Sequence, residues 1–338
     1  MAKGSTALLL GFGDATQGMD VRDRDGLALN VEQVLSLQFA EVARNQLTLG
    51  LRFLCDNLAP HVSRSLPMRK TWILCASLAL AITVCDTVQA QVHAEDWATP
   101  AEKSNFRKTP NYNETMAYLK RLEAASPWIR VTSFGRSASG HELPLVIASK
   151  EQAFSPGAAA ATGKAIVLIQ NAIHAGEMDG KDSSLMLLRE MAITKARAAL
   201  LDHVILLVLP VYNVEGYERF GPYMRINQNG PEETGWRVNA RNLNLNRDYM
   251  KADAPETRAF LKLFNDWLPD FFVDCHVTDG ADYQYDVTYL LEDGPGVYSP
   301  LAAWLRESFQ PRLEASVGRS GHLIAPLVWP RDNNDLAQ

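Results

Sequence analysis

The sequence predicts an α/β fold: a single-domain mixed, mostly parallel twisted sheet with helices on both faces. Three observations carry this. Short apolar runs without polar alternation occur at residues 165–170, 204–210 and 271–275, as strands buried on both faces require. Segments with helical spacing separate them. No internal repeat or composition break divides residues 111–338, so strands and helices belong to one layered unit.

The elements follow in order. Residues 31–54 form one amphipathic run with helical spacing. Met68 then opens a secretory-signal layout. Arg69 and Lys70 give a positive start, residues 72–84 are mostly apolar and uncharged, and Val88-Gln89-Ala90 ends in a small residue. As a helix that apolar stretch spans about 20 Å, short of a bilayer core of roughly 30 Å, which makes a membrane anchor the weaker reading. Val84 is too bulky for a lipoprotein site at Cys85. Because 67 residues precede this signal, the simplest expectation is a start assigned too early, with residues 1–67 an upstream extension and 68–90 the signal peptide. A genuine N-terminal extension is the other reading. The mature chain expected from residue 91 onward is secreted or periplasmic, without stable membrane insertion, and Cys275 is its only thiol.

Residues 91–110 are polar and read as a surface arm. A helix is expected over 112–124, and two β-rich runs around Gly140 predict a hairpin over 131–148. Residues 151–164, rich in Ala, Gly and Pro, read as a loop. A helix is expected over 182–196, with Asp182 or Ser183 as its cap. After a long polar stretch, Pro255 opens a helix to residue 268. Residues 285–291 are β-like and 301–313 helical.

Composition limits the function. The 338 residues carry 33 Lys+Arg against 39 Asp+Glu, a net charge of −6 without a basic run, which argues against a nucleic-acid partner. With 47% hydrophobic and 21% charged residues, the chain is neither collagen-like nor wholly disordered. None of Cys55, Cys75, Cys85 and Cys275 forms a CxxC pair, which excludes a cysteine zinc knuckle.

Two apolar strands lead into histidines. Residues 165–170 run into Asn171-Ala-Ile-His174-Ala-Gly-Glu177, and 271–275 into His276. If the strands are neighbours, His174, Glu177 and His276 converge. Two imidazoles and a carboxylate are a common catalytic zinc set, with a fourth position for water. An HxxE pair alone is a weak pattern, and a lone strand-end histidine is more often structural. Residues 237–247 add weight, since they pack three Arg and four Asn with no Lys. The planar arginine fork suits a carboxylate.

HAGE at 174–177, WR at 236–237, LNR at 245–247 and His276 come in the order of the zinc carboxypeptidases, the carboxypeptidase A-like metallopeptidases or funnelins, which the chain resembles over about residues 110–335. The resemblance implies an exported metallocarboxypeptidase hydrolysing C-terminal peptide bonds through a zinc-activated water. It implies one Zn2+ held by His174, Glu177 and His276. Asn246 and Arg247 would bind the C-terminal carboxylate of a peptide or protein, and Arg237 would stabilise the oxyanion.

Three departures stand out. Gly176 precedes Glu177 where digestive members carry an Arg, and Asn244 stands where the family often has an Asp orienting a zinc-bound His. The family's general-base Glu and capping Tyr lie well beyond the third ligand, whereas this chain stops 62 residues after His276. Glu314 falls in a helical run and is a poor base. The expectation is therefore a C-terminally truncated, nearly inactive chain with an open sheet edge. The alternatives are a zinc-dependent deacylase of N-acyl amino acids and a non-catalytic zinc- or peptide-binding module. Ser137 and Ser139 lie between two β runs rather than at a strand-to-helix elbow, which argues against a serine nucleophile. Cys275 should face away from His276, and Asp279 and Asp282 are candidate supporting groups.

Overall fold

Six consecutive buried residues at 165–170, and again at 204–209, place these runs inside a sheet covered on both faces. The structure, a computed structural model, describes residues 6–11 and 94–328. The signal expected at 68–90, the helix expected over 31–54, and Cys55, Cys75 and Cys85 lie outside the described residues.

In chain order, strand β1 (Thr6–Gly11) is followed by helices α1 (Pro100–Lys103) and α2 (Tyr112–Ala125), then by hairpin strands β2 (Ile129–Arg136) and β3 (Glu142–Ala148). Next come α3 (Pro156–Ala161), β4 (Ala165–Gln170), α4 (Asp179–Ala192), β5 (Val204–Leu209) and α5 (Val214–Glu218). The remainder is α6 (Pro255–Trp267), β6 (Phe271–Val277), β7 (Val287–Leu291), α7 (Ser299–Trp304), α8 (Gln310–Arg319) and β8 (Ile324–Pro326).

The strands form one sheet in the order β2-β3-β5-β4-β6-β1-β7-β8. β4 runs parallel to both β5 and β6, while the β2–β3, β3–β5 and β1–β6 pairs are antiparallel. Side-chain alternation sends Val167 and Ile169 into a core with α2, α4 and α8, and Ile166 and Leu168 into a second core with α3 and α6. Helices thus cover both faces. β1 pairs with β6 on one side and β7 on the other, Ala7 lying opposite His276. Among the described residues no helix is long and apolar enough to cross a membrane.

Several local expectations are corrected. The loop expected over 151–164 contains α3, because Ser155 accepts the Ala158 N–H, Pro156 occupies the first turn and the alanines favour helix. The arm over 91–110 is not merely a surface segment. Thr99 and Glu102 form a capping box opening α1, and Glu102 takes Arg189 of α4 at 2.6 and 2.8 Å. α4 begins at Asp179, before the expected cap, and the Asp182 carboxylate instead takes the buried Lys181 and the Thr109 hydroxyl.

The hairpin loop is a turn around Gly140, at φ +89°, and is pinned by two acids. Glu215 accepts the Ser139 N–H at 2.9 Å and Glu256 the Ala138 N–H at 3.2 Å. Burial, aided by the Glu215 charge, pushes the Glu256 carboxyl up. Burial also pushes Glu215 up, but hydrogen bonds from Ser137 and Ser139 outweigh it and leave Glu215 low. As pH falls, Glu256 is the first of the two to take up a proton, which relieves the repulsion. With its folded value above the unfolded one, the stability contributed by Glu256 is complete below about pH 4 and lost as pH rises through the folded value. Glu256→Gln is expected to remove that loss. In thermal melts the variant should overtake wild type toward pH 8, and parallel pH profiles would refute the raised value of Glu256.

Candidate metal centre

The parallel pairing of β4 with β6 sets Gln170 opposite Asp274, so the two carboxyl ends open side by side. Crevices at such ends are where open α/β sheets bind ligands. Past β4, the Asn171 carbonyl accepts from Tyr212 N–H at 3.0 Å and the Ala172 carbonyl from Asn213 N–H at 3.1 Å, with Ala172 at φ +54°. This fixed exit leads into a tight turn in which Glu177 N–H donates to the His174 carbonyl at 2.9 Å. The turn brings the side chains of His174 and Glu177 together, and the third partner comes from the end of β6.

Glu177 is the hub. Its Oε1 lies 2.9 Å from His174 Nδ1, and its Oε2 lies 2.9 Å from His276 Nδ1 and accepts the Val277 N–H at 3.1 Å. On the outer side, His174 Nε2 is 3.3 Å from Asn244 Oδ1 and His276 Nε2 is 2.9 Å from Asp274 Oδ2. Each ring thus has an oxygen acceptor at both nitrogens, and a metal taken at the inner Nδ1 atoms would leave the remaining ring proton on Nε2, where Asn244 and Asp274 receive it. Burial favours protonated Glu177, but hydrogen bonds from the two histidines outweigh it and hold the carboxyl well below the usual range. Burial lowers His276, while the charges and hydrogen bonds of Asp274 and Glu177 overcome that and push it up to about 10.

One ligand atom from each of His174, Glu177 and His276 lies within 4.8 Å of the other two. Two inward imidazole nitrogens, one buried carboxylate and acceptors behind both rings fit a divalent cation of the zinc type. Cys275 is buried on the opposite side of β6, against α4, where a Cβ on Gly180 would come within 2.4 Å of its own.

The other expected residues are placed unevenly. Arg237 Nη1 reaches Glu177 Oε1 at 3.4 Å and Asp279 Oδ1 at 3.1 Å. Asn246 joins indirectly, its N–H donating to the Asn244 oxygen that faces His174. The Arg247 guanidinium turns onto the Asn246 carbonyl at 2.9 Å and is not drawn into the cluster. Glu314 accepts the Tyr289 hydroxyl within the α8 layer. The sequence reading missed two contributors. Asp274 was detectable, since it lies two residues before His276 on one strand and so shares its face. Arg225, which reaches Glu177 at 3.2 Å and Asp279 at 2.7 Å, had no signal in spacing.

Asp274→Ala should weaken zinc binding by about 10–100-fold, because it frees the His276 ring and its Nε2 proton. Competition with a chromogenic chelator measures this, and an unchanged affinity would mean that Asp274 does not orient the ring.

A family model described as zinc carboxypeptidase matches residues 115–307. Carboxypeptidase 2 of Trichophyton rubrum is 30% identical over 172 residues, which is 49% of this chain and 28% of that protein. Carboxypeptidase 2 of Trichophyton equinum is 28% identical over 194 residues, 56% of this chain and 32% of that one. The chain therefore spans less than half the length of these relatives. Among solved structures, a metallo-carboxypeptidase from Burkholderia cenocepacia overlaps 67% of this chain and 55% of its own, at TM-score 0.46 and 19% identity. Carboxypeptidase A from Helicoverpa armigera overlaps 53% of this chain and 50% of its own, at TM-score 0.38 and 21% identity.

Proposed function

The chain belongs to the zinc carboxypeptidase family, and on that premise we propose that it is part of an exported zinc-dependent metallocarboxypeptidase hydrolysing C-terminal peptide bonds. The observation that carries the reading is the pair of Nδ1 atoms facing the two oxygens of Glu177, with both Nε2 atoms held from behind. His174, Glu177 and His276 would hold the metal. Zinc bound there supplies a water of lowered pKa and polarises the scissile carbonyl.

The chain's own groups do the rest. With a metal in place, Asn244 and Asp274 would hold the proton on each Nε2, so that each Nδ1 could give up its hydrogen bond to Glu177 and serve as a ligand. Arg237, beside the cluster, is placed to stabilise negative charge developing on the carbonyl oxygen, and one such donor is commonly worth about 10²–10³ in rate. Asn246 and Arg247 supply an amide and a planar fork for the terminal carboxylate, which would confine action to chain ends. Arg247 must leave the Asn246 carbonyl to do so. Peptide and protein C-termini are the proposed partners, and the segment 68–90 is the proposed export signal.

The test is zinc stoichiometry followed by peptide binding. The chain should take up one zinc per molecule. The loaded protein should bind a fluorescent peptide with a free C-terminus and ignore its C-terminal amide. Arg247→Ala should weaken binding of the free peptide by about 10–100-fold, as loss of a hydrogen bond between charged groups implies. Equal affinity for acid and amide would end the exopeptidase reading, and the absence of zinc uptake would end the metal reading.

A further inference from the structure

Arg225 is a buried cation whose position depends on a missing side chain. Its own side chain is only 4% exposed. It lies over Gly176, where an added Cβ would meet Arg225 Cγ at 2.2 Å and Cδ at 2.9 Å. Any residue larger than glycine at 176 would therefore displace it. From this slot Nη2 donates to Glu177 Oε1 at 3.2 Å and to Asp279 Oδ1 at 2.7 Å. The Gln228 side-chain amide stands between the Gly176 carbonyl and Arg225 Nη2, 3.0 Å from each, and both contacts are hydrogen bonds when its nitrogen is assigned to the carbonyl side.

We propose that Arg225 is a positioning residue for the metal centre, fixing the Glu177 carboxylate so that each of its oxygens faces one histidine. The inference rests on the zinc reading above and extends it to a residue outside the ligand set. Without Arg225, Oε1 keeps only His174 and the longer contact to Arg237 at 3.4 Å. The carboxylate could then rotate away from the His276 side. All of these contacts converge on the one nitrogen Nη2, at the far end of the planar guanidinium. A lysine nitrogen ends one bond short of Nη2 on a flexible stem, so it cannot be held rigidly between Glu177 and Asp279. Glycine at 176 is thus the complement of arginine at 225.

The experiment measures zinc affinity without substrate, by chelator competition, for wild type, Arg225→Lys and Arg225→Met, with melting of each metal-free protein alongside. Arg225→Lys keeps the charge and the apolar stem over Gly176. It should melt like wild type yet bind zinc about tenfold more weakly, and Arg225→Met should approach 100-fold. If the metal-free Arg225→Met does not fold, Arg225→Lys alone decides. If wild type binds zinc and Arg225→Lys binds it equally well, Arg225 is only packing and charge balance, and the proposal is overturned while the metal reading stands. If wild type takes up no zinc, the metal reading fails and this inference falls with it.

Discussion

Glu177→Gln is expected to weaken zinc binding by more than about 100-fold, exceeding the effect of losing an outer-shell partner. The amide preserves volume but offers one acceptor oxygen where two histidines each face one carboxylate oxygen. It also removes the negative charge beside Arg225 and Arg237. In the metal-free protein the cost should be moderate. Arg225 keeps Asp279 at 2.7 Å, so its buried guanidinium is not left without a carboxylate, and the cost stays below the full penalty of an unpaired buried ion. The two effects separate in melting curves taken with and without zinc. Wild type should gain about 2.7 kcal/mol when free zinc is 100 times the dissociation constant, whereas the variant should gain almost nothing at that concentration. A variant that retains the zinc-dependent gain would exclude Glu177 as a ligand.

The parts of this centre that could be read in the sequence are those governed by strand geometry. Apolar runs at 165–170 and 271–275 fix two strands, and a histidine just beyond each lies at the sheet's carboxyl edge once the strands are neighbours. Alternation along β6 also separates Cys275 from His276. The same rule puts Asp274 beside His276, on the face that carries the ligand. Other contributors depend on long-range paths. Arg225 reaches Glu177 only because the chain after α5 folds back over Gly176, and no periodic pattern encodes that return. β1 joins β6 and β7 from the far end of the chain, and pairing between such distant segments leaves no local trace. The arm over 91–110 looks solvated by composition, yet its polar groups are bonded inward, to Arg189 and Asp182 on α4. Arg247 shows the opposite limit. Its residue type suggests a carboxylate clamp, but where its fork points is set by the local turn, here the Asn246 carbonyl.

Lys181→Met should be the most damaging change outside the metal centre. Lys181 is fully buried, paired with Asp182, and donates to the Pro110 carbonyl at 3.4 Å. The same carbonyl accepts the Tyr217 hydroxyl at 2.5 Å, and Asp182 also accepts the Thr109 hydroxyl at 3.2 Å. This cluster ties the arm to α4 immediately after the His174–Glu177 turn. Methionine fills the space but leaves a carboxylate without its cation. Breaking a buried pair costs about 3–5 kcal/mol, and the lower end applies because the Asp182 side chain keeps 13% exposure. For a domain of this size that is a fall in melting temperature of roughly 6–12 °C. Burial pushes the Asp182 carboxyl up, and Lys181 partly offsets it. Without the lysine the folded value rises further above the unfolded value of about 3.9, so the contribution from protonated Asp182 is complete below about pH 4 and lost as pH rises. The deficit should therefore be smallest near pH 4 and largest at pH 8. Adding Asp182→Asn keeps an acceptor for Thr109 and removes the charge, so the double variant should recover most of the loss at pH 8, and the deficit that remains should vary little with pH. A double variant no better than Lys181→Met would show that packing around the lysine stem, rather than the unpaired carboxylate, carries the cost.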